Sequence, residues 1–129
     1  MGQLRYQELS ERIIAAAYTV HNELGCGFLE KVYQKALVIE LEERGVLCRC
    51  EVPLRVMYRG QVVGDYCADV IVGNKIVMET KAVSRLDPIH EVQLVNYLRA
   101  THLNVGLLIN FGRSVEVKRR VFDATPEKA

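Results

Sequence analysis

The sequence has no tryptophan, only three prolines in 129 residues, and no long apolar run. A helix that spans a bilayer needs about 18 to 20 consecutive apolar residues, and no stretch here approaches that length. The N-terminal residues also lack the apolar core of a secretory signal. We therefore expect a protein without a membrane partner that stays in the cytoplasm. A chain of this length buries about two thirds of its unfolded surface, so we expect one globular domain without disulfides or a structural metal.

Charge of one sign is also scarce, because 17 Lys and Arg balance 16 Asp and Glu to a net charge of +1. This balance excludes proteins that hold nucleic acid through bulk positive charge alone. The densest basic cluster is Lys118-Arg119-Arg120, with Arg113 nearby. Such a cluster suits phosphates, but a solvated strand edge is the more common interpretation.

Several familiar devices are missing. No CxxC pair occurs among the four cysteines, and the three histidines are scattered, which argues against zinc. Cys48 and Cys50 fall on one face of a predicted strand, and we expect the cysteines to be buried as small apolar side chains. No dinucleotide-binding glycine pattern, P-loop, nucleophile elbow or HExxH sequence is present either.

Hydrophobic spacing predicts one α/β domain, with a central mixed sheet flanked by helices. A helix pair at about 6–23 and 29–41 is separated by Gly25-Cys26-Gly27 and followed by Gly45. Then come a three-strand meander, a helix that Asp87-Pro88 begins, an apolar strand at the sheet centre and an edge strand. The predicted strands cover 46–52 and 54–58 on either side of a proline, then 62–72, 75–82, 105–109 and 115–121. The third helix is predicted to end near 101. The predicted domain covers 1–122, and a flexible tail is predicted at 123–129.

The third helix is expected to bury an apolar stripe. Its candidate members are Ile89, Val92, Val95 and Leu98. His90, at the start of the same helix, and His102, just beyond its end, receive no role and are interpreted as surface or helix-end residues.

Charged side chains stand in the otherwise apolar middle strands. Glu79 and Lys81 are two apart, so a strand directs both to one face. If the preceding turn holds three residues, Asp69 lies opposite Glu79, whereas a two-residue turn places Asp69 opposite Met78 and separates the carboxylates. The register of this turn therefore decides the chemistry.

Two adjacent carboxylates repel each other unless a positive charge lies between them. Oxygen ligands of this kind favour Mg2+ or Mn2+ over Zn2+, and a lysine at the rim can position a water or offset developing negative charge. A structural salt bridge from Lys81 to one carboxylate explains the same spacing equally well.

A wider pattern surrounds these residues. Residues 27–33 read GFLEKVY, which matches GxxExxY, and Asp69 precedes Glu79-Thr80-Lys81 as in the D…ExK core of nucleases. The segments QLVNYL at 93–98 and GLLINFG at 106–112 complete the pattern. Over residues 10–122 the chain thus resembles the GxxExxY family of the PD-(D/E)XK nuclease superfamily, although Ala68 stands where the superfamily name has proline.

The resemblance implies a restriction-endonuclease-like fold and Mg2+-dependent or Mn2+-dependent cleavage of nucleic acid, with DNA favoured over RNA. It implies that Asp69, Glu79 and Glu30 hold the metal, that Lys81 serves the attacking water, and that Gln93 steadies the site.

Tyr33 and Tyr97 share helix faces with Glu30 and Gln93, so they either support the site or are core residues with satisfied hydroxyls. The alternative function is a catalytically weak or inactive nuclease-fold module that binds or regulates together with a partner. The near-neutral charge favours a homodimer or a protein partner.

Overall fold

The computed structural model describes residues 6–123, and these form three helices and five strands. The elements are α1 Gln7–Leu24, α2 Glu30–Glu43, β1 Cys48–Tyr58, β2 Gln61–Val72, β3 Ile76–Lys81, α3 Pro88–Thr101, β4 Val105–Phe111 and β5 Val115–Val121. The predicted order of elements is confirmed. The tail predicted at 123–129 lies, apart from its first residue, outside the described residues. Within 6–123 no helix is both long and apolar enough to cross a bilayer.

The strands form one mixed sheet in the order β1-β2-β3-β4-β5. Neighbouring strands are antiparallel except β3 and β4, which are parallel because α3 carries the chain back between them. All residues of β4 are buried, as predicted for a strand covered on both faces. The middle strand is nevertheless β3, which corrects the prediction that 105–109 form the sheet centre.

Two apolar cores lie on opposite faces of the sheet. Helices α1 and α2 cover one face, where Leu107 and Ile109 point into the first core. Helix α3 covers the other face, where Leu94 and Leu98 pack with Leu108 in the second core. The domain is therefore a three-layer α/β/α arrangement, consistent with a restriction-endonuclease-like fold.

Strand β1 runs unbroken through Pro53, although the sequence predicts two short strands there. Pro53 is paired with Cys67 of β2. Because β1 is an edge strand, it has a neighbour on one side only and tolerates a residue without an N–H group. The predicted interruption at Pro53 was therefore wrong, because the edge position of β1 follows from the order of strands in the sheet and not from the local sequence.

Near Glu51, the buried side of the β1–β2 hairpin changes from one face of the sheet to the other. Cys48 packs against the first core, whereas Val52 and Leu54 pack in the second. Glu51 has a left-handed backbone with a φ of 53° and marks the point at which the strand twists. The outer half of the hairpin consequently lies on the α3 side of the sheet.

The structure overturns the prediction of buried cysteines. Cys26, Cys50 and Cys67 are exposed, and only Cys48 is half-buried. Cys50 lies outside the core, in a groove beside α2 that Val38 and Ile39 also line. Burial raises the pKa of the Cys48 thiol to about 11, so it is not a ready nucleophile.

Helix α3 buries Leu94 and Leu98 instead of the predicted stripe. Ile89 and Val92 are each 52% exposed, so only Leu98 of the predicted set is fully buried. Apolar residues occur around more than half of this helix, and periodicity therefore does not determine which side faces the sheet.

The basic residues at 118–120 do not form one surface. Arg119 Nε lies 3.4 Å from Ser10 Oγ of α1, whereas Arg120 forms an ion pair with Glu91 of α3. Successive residues of a strand point to opposite faces, so neighbouring charges in the sequence are separated by the sheet.

Gly106 allows α3 to approach β4 closely. A Cβ added at Gly106 would lie 2.8 Å from Leu94 Cδ1 and 2.9 Å from Leu94 Cγ. We expect Gly106→Ala to lower the free energy of unfolding by about 1–3 kcal/mol through overpacking, measured by urea denaturation. In a Leu94→Ala background the same substitution should cost much less, because the clashing atoms are gone. An equal cost in both backgrounds would show that the contact with Leu94 is not the cause.

Candidate active site

The site lies where β2 and β3 separate. Their pairing consists of Val72 with Ile76, Ile71 with Val77 and Val70 with Met78. The turn between them thus holds three residues, which confirms the register that brings the carboxylates together. Asp69 and Glu79 occupy the next position along the two strands. There, hydrogen bonds between backbone and side chain replace those between the two backbones.

Each carboxylate accepts a hydrogen bond from the backbone at the other strand. The Asp69 N–H donates to Glu79 Oε2 at 2.9 Å, and the Thr80 N–H donates to Asp69 Oδ2 at 2.9 Å. The Thr80 hydroxyl donates to the same Asp69 oxygen at 3.1 Å. These reciprocal bonds satisfy backbone groups that the end of the ladder would otherwise leave unpaired, and they fix both carboxylates.

Glu79 has a carboxyl group whose ionisation is unfavourable in its surroundings. Its side chain is buried, with the residue only 7% exposed. Burial first, and the charge of Asp69 second, raise the pKa of Glu79 to about 8, against lowering influences from the Asp69 N–H and from Lys81. In the protein without a cation, this carboxyl is therefore largely protonated at neutral pH.

Lys81 follows Glu79 on the same side of β3 and is only partly buried. Among the described residues it forms no ion pair within 4 Å. This geometry argues against the structural salt bridge as the reason for the lysine. Its charge nevertheless lowers the pKa of Glu79 and of Glu30, so it lies within electrostatic range of both.

Glu30 is the first residue of α2 and approaches from the first-core side. Burial raises its pKa, the charge of Lys81 lowers it, the charge of Asp69 raises it, and the charge of His90 lowers it. Sequence reasoning gave His90 no role, yet it belongs to this electrostatic neighbourhood. Within residues 6–123, no three acidic, histidine or cysteine side chains are already arranged around one cation position.

The predicted residues of α3 lie at the edge of the site. Gln93 is exposed and lines a groove between α3 and the β1–β2 hairpin, together with Tyr97. Burial raises the pKa of Tyr97, and the charges of Glu79 and Asp69 raise it further. Tyr97 thus lies near the carboxylates, whereas Gln93 contacts neither of them through a hydrogen bond in the described structure.

Tyr33 is a core residue. It is fully buried, its hydroxyl donates to the Gly25 carbonyl at 2.6 Å and accepts from the Phe28 N–H at 3.2 Å. Its ring stacks on Phe111 with 4.7 Å between centroids. Tyr33 therefore fixes the glycine corner before α2 and, through that corner, the position of Glu30 three residues earlier.

Sequence reasoning missed Gln34, which joins α2 to the site. Gln34 is buried, and its Nε2 donates to Glu51 Oε2 at 2.8 Å and to the Asp69 carbonyl at 3.3 Å. Its Oε1 accepts from Lys31 Nζ at 3.3 Å. A polar residue on the inward side of an amphipathic helix was the available signal.

A second missed group holds the chain that follows Lys81. Asn110 is fully buried; its Oδ1 accepts from the Val83 N–H and its Nδ2 donates to the Val83 carbonyl, both at 2.9 Å. A Cβ at Gly112 would lie 2.9 Å from that same carbonyl oxygen. The asparagine and glycine of the GLLINFG segment therefore position the exit of β3.

The comparison with protein-family models gives one result. The model described as the PD-(D/E)XK nuclease superfamily matches residues 7–121. Neither the curated proteins nor the solved structures give a match.

The raised pKa of Glu79 predicts a pH-dependent stability in protein kept free of metal with EDTA. Stability from the protonated carboxyl is fully present below its ordinary pKa of 4.5 and is lost as the pH rises to about 8. Glu79→Gln cannot ionise and keeps an acceptor for the Asp69 N–H. We expect the free energy of unfolding of Glu79→Gln to exceed that of the wild type by a few kcal/mol at pH 8, since each pKa unit corresponds to about 1.4 kcal/mol. Near pH 4.5 the two free energies should differ little.

Urea denaturation between pH 4.5 and 9 measures this difference. Glu43→Gln, on the exposed last residue of α2, is the matched control and should follow the wild-type profile. A constant offset between Glu79→Gln and wild type at every pH would contradict the burial of an ionisable Glu79.

Proposed function

Since the chain belongs to the PD-(D/E)XK nuclease superfamily, we propose that it hydrolyses phosphodiester bonds of nucleic acid with a divalent metal ion held by Asp69 and Glu79. The observation that carries this proposal is the pair of carboxylates, each of which accepts a hydrogen bond from a backbone N–H of the other strand. Beside them lies Lys81, which has no ion pair in the described residues. The narrower assignment to the GxxExxY family stays a prediction from the sequence.

The site has the chemistry of a cation site. Glu79 is buried beside a second carboxylate, and a bound cation would relieve both the burial of its charge and the repulsion from Asp69. Carboxylate oxygens are hard ligands and favour Mg2+ or Mn2+. Glu30, at the start of α2, is the proposed third carboxylate and would complete the ligand set.

When bound, the metal supplies polarisation of the phosphodiester and a bound water of lowered pKa. Lys81 is the proposed residue that holds the attacking water or offsets negative charge that develops on the phosphate. Because Lys81 forms no ion pair within residues 6–123, its ammonium group is available for that task. Gln93 and Tyr97 are proposed to steady the substrate side of the site from α3.

DNA is the proposed substrate. A site that directs an external water at phosphorus does not need the 2′-hydroxyl that RNA offers as an internal nucleophile. The residues assembled here are carboxylates and a lysine, without the paired imidazoles that would activate such a hydroxyl.

A binding or regulatory module with weak or no turnover is the second candidate. Two observations favour it: no three ligands are preassembled around one position within residues 6–123, and the basic residues at 118–120 are divided between two faces of the sheet. In this case a homodimer or a protein partner would complete the surface that grips nucleic acid.

Substitutions separate the roles of the carboxylates and the lysine. We expect Asp69→Asn to weaken Mg2+ and Mn2+ binding, measured by calorimetry, and to abolish cleavage of DNA. Lys81→Ala should leave metal affinity nearly unchanged and lower kcat by roughly 10²–10³-fold, because the lysine acts on the water or on developing charge.

Lys75→Ala is the charge-matched control, since Lys75 is exposed in the turn at the other end of β3. It should keep both metal affinity and kcat. Equal cleavage by wild type and Asp69→Asn would remove the proposed site, and tight metal binding without cleavage of any DNA or RNA form would favour the binding module.

A further inference from the structure

A groove of about 690 Å³ lies between the outer half of the β1–β2 hairpin and α3. Tyr66 and Tyr97 line it, with ring centroids 6.1 Å apart and planes inclined at 53°. Tyr66 is 54% exposed, so one face of its ring is open to a ligand. The volume is in the range, about 300–1,000 Å³, that encloses ligands of nucleotide size.

The groove has the charge of a site for a polyanion. Arg55, Arg99 and His102 belong to its lining, and no acidic side chain does. Arg55 alternates with the core residue Leu54 and is paired with Asp65, so its side chain lies on the opposite face of the hairpin from Tyr66. The cation on the groove side is Arg99, whose guanidinium lies 4.7 Å from the centroid of the Phe122 ring. An aromatic face beside an arginine is a combination with which proteins hold unpaired nucleic-acid strands.

The groove lies near the carboxylate site. Tyr66 precedes Asp69 by three residues, or about 10 Å along β2. Tyr97 lies within electrostatic range of Glu79 and Asp69. A strand whose bases lie in the groove would therefore bring its backbone close to the carboxylates.

We propose that this groove binds unpaired bases of single-stranded DNA, with Tyr66 as the stacking surface, and thereby delivers the backbone to Asp69 and Glu79. The inference rests on the proposed function and adds the strand form of the substrate. A duplex keeps its bases stacked inside the helix and presents only their edges, so it offers no base face to Tyr66. Single strands, overhangs and displaced strands do.

Binding is measured without turnover, by fluorescence anisotropy of a labelled 12-residue oligothymidylate and of a duplex of equal length, with Ca2+ in place of Mg2+. We expect the single strand to bind more tightly than the duplex. Tyr66→Ala should weaken single-strand binding about 5- to 150-fold, since a stacked base is typically worth a factor of this size. Tyr66→Phe, which keeps the ring, should restore it.

Tyr58→Ala is the matched control, because Tyr58 is an exposed tyrosine of the same hairpin outside the groove lining. It should bind as the wild type does. Equal affinities of wild type and Tyr66→Ala, or tighter binding of the duplex, would overturn the proposal. Tighter binding of an oligouridylate than of the DNA strand would overturn the choice of DNA.

Failure of this inference is distinguishable from failure of the proposed function. Single-strand binding that depends on Tyr66, without cleavage, supports the groove and overturns the nuclease assignment. Duplex cleavage at the wild-type rate by Tyr66→Ala supports the nuclease assignment and overturns the groove.

Discussion

The contact between Asp69 and Glu79, where β2 and β3 separate, is the constraint on which the site depends. Two carboxylates side by side in a largely buried position repel each other, and burial together with the charge of Asp69 raises the pKa of Glu79. The backbone N–H groups of Asp69 and Thr80 hold them there. The fold thus keeps two carboxylates together at the end of the backbone ladder, where a cation would relieve the repulsion between them.

Hydrogen bonds from the surrounding helices and strands hold this contact in place. Gln34 ties α2 to the Asp69 carbonyl, and Asn110 ties the exit of β3 to β4. Tyr33 fixes the corner from which Glu30 approaches. Each of these is a buried polar group with its partners satisfied, so a small displacement at any of them would be costly and would be felt at the carboxylates.

The twist of the hairpin at Glu51 connects the site to a surface for substrate. It transfers the outer half of β1 and β2 to the α3 side, where Tyr66 meets Tyr97 across a groove. Without this change of face, Tyr66 would lie away from α3 and the groove would not form. The residue in the left-handed conformation is itself hydrogen bonded to Gln34, so the same network that holds Asp69 also holds the twist.

The sequence by itself determined the order of helices and strands, because period, capping residues and turn residues are local properties. It also determined that Glu79 and Lys81 share a side of β3, and it limited Asp69 to two possible positions. Tertiary structure decided the rest. Pro53 is accommodated because β1 is an edge strand, and α3 faces the sheet through Leu94 because β4 has a glycine beneath it. Cys50 is exposed because it lies on that same edge strand, outside the core. The partners of Gln34, the separation of Arg119 from Arg120 and the groove beside Tyr66 join residues far apart in the chain, and packing between elements, which a local pattern does not contain, brings them together.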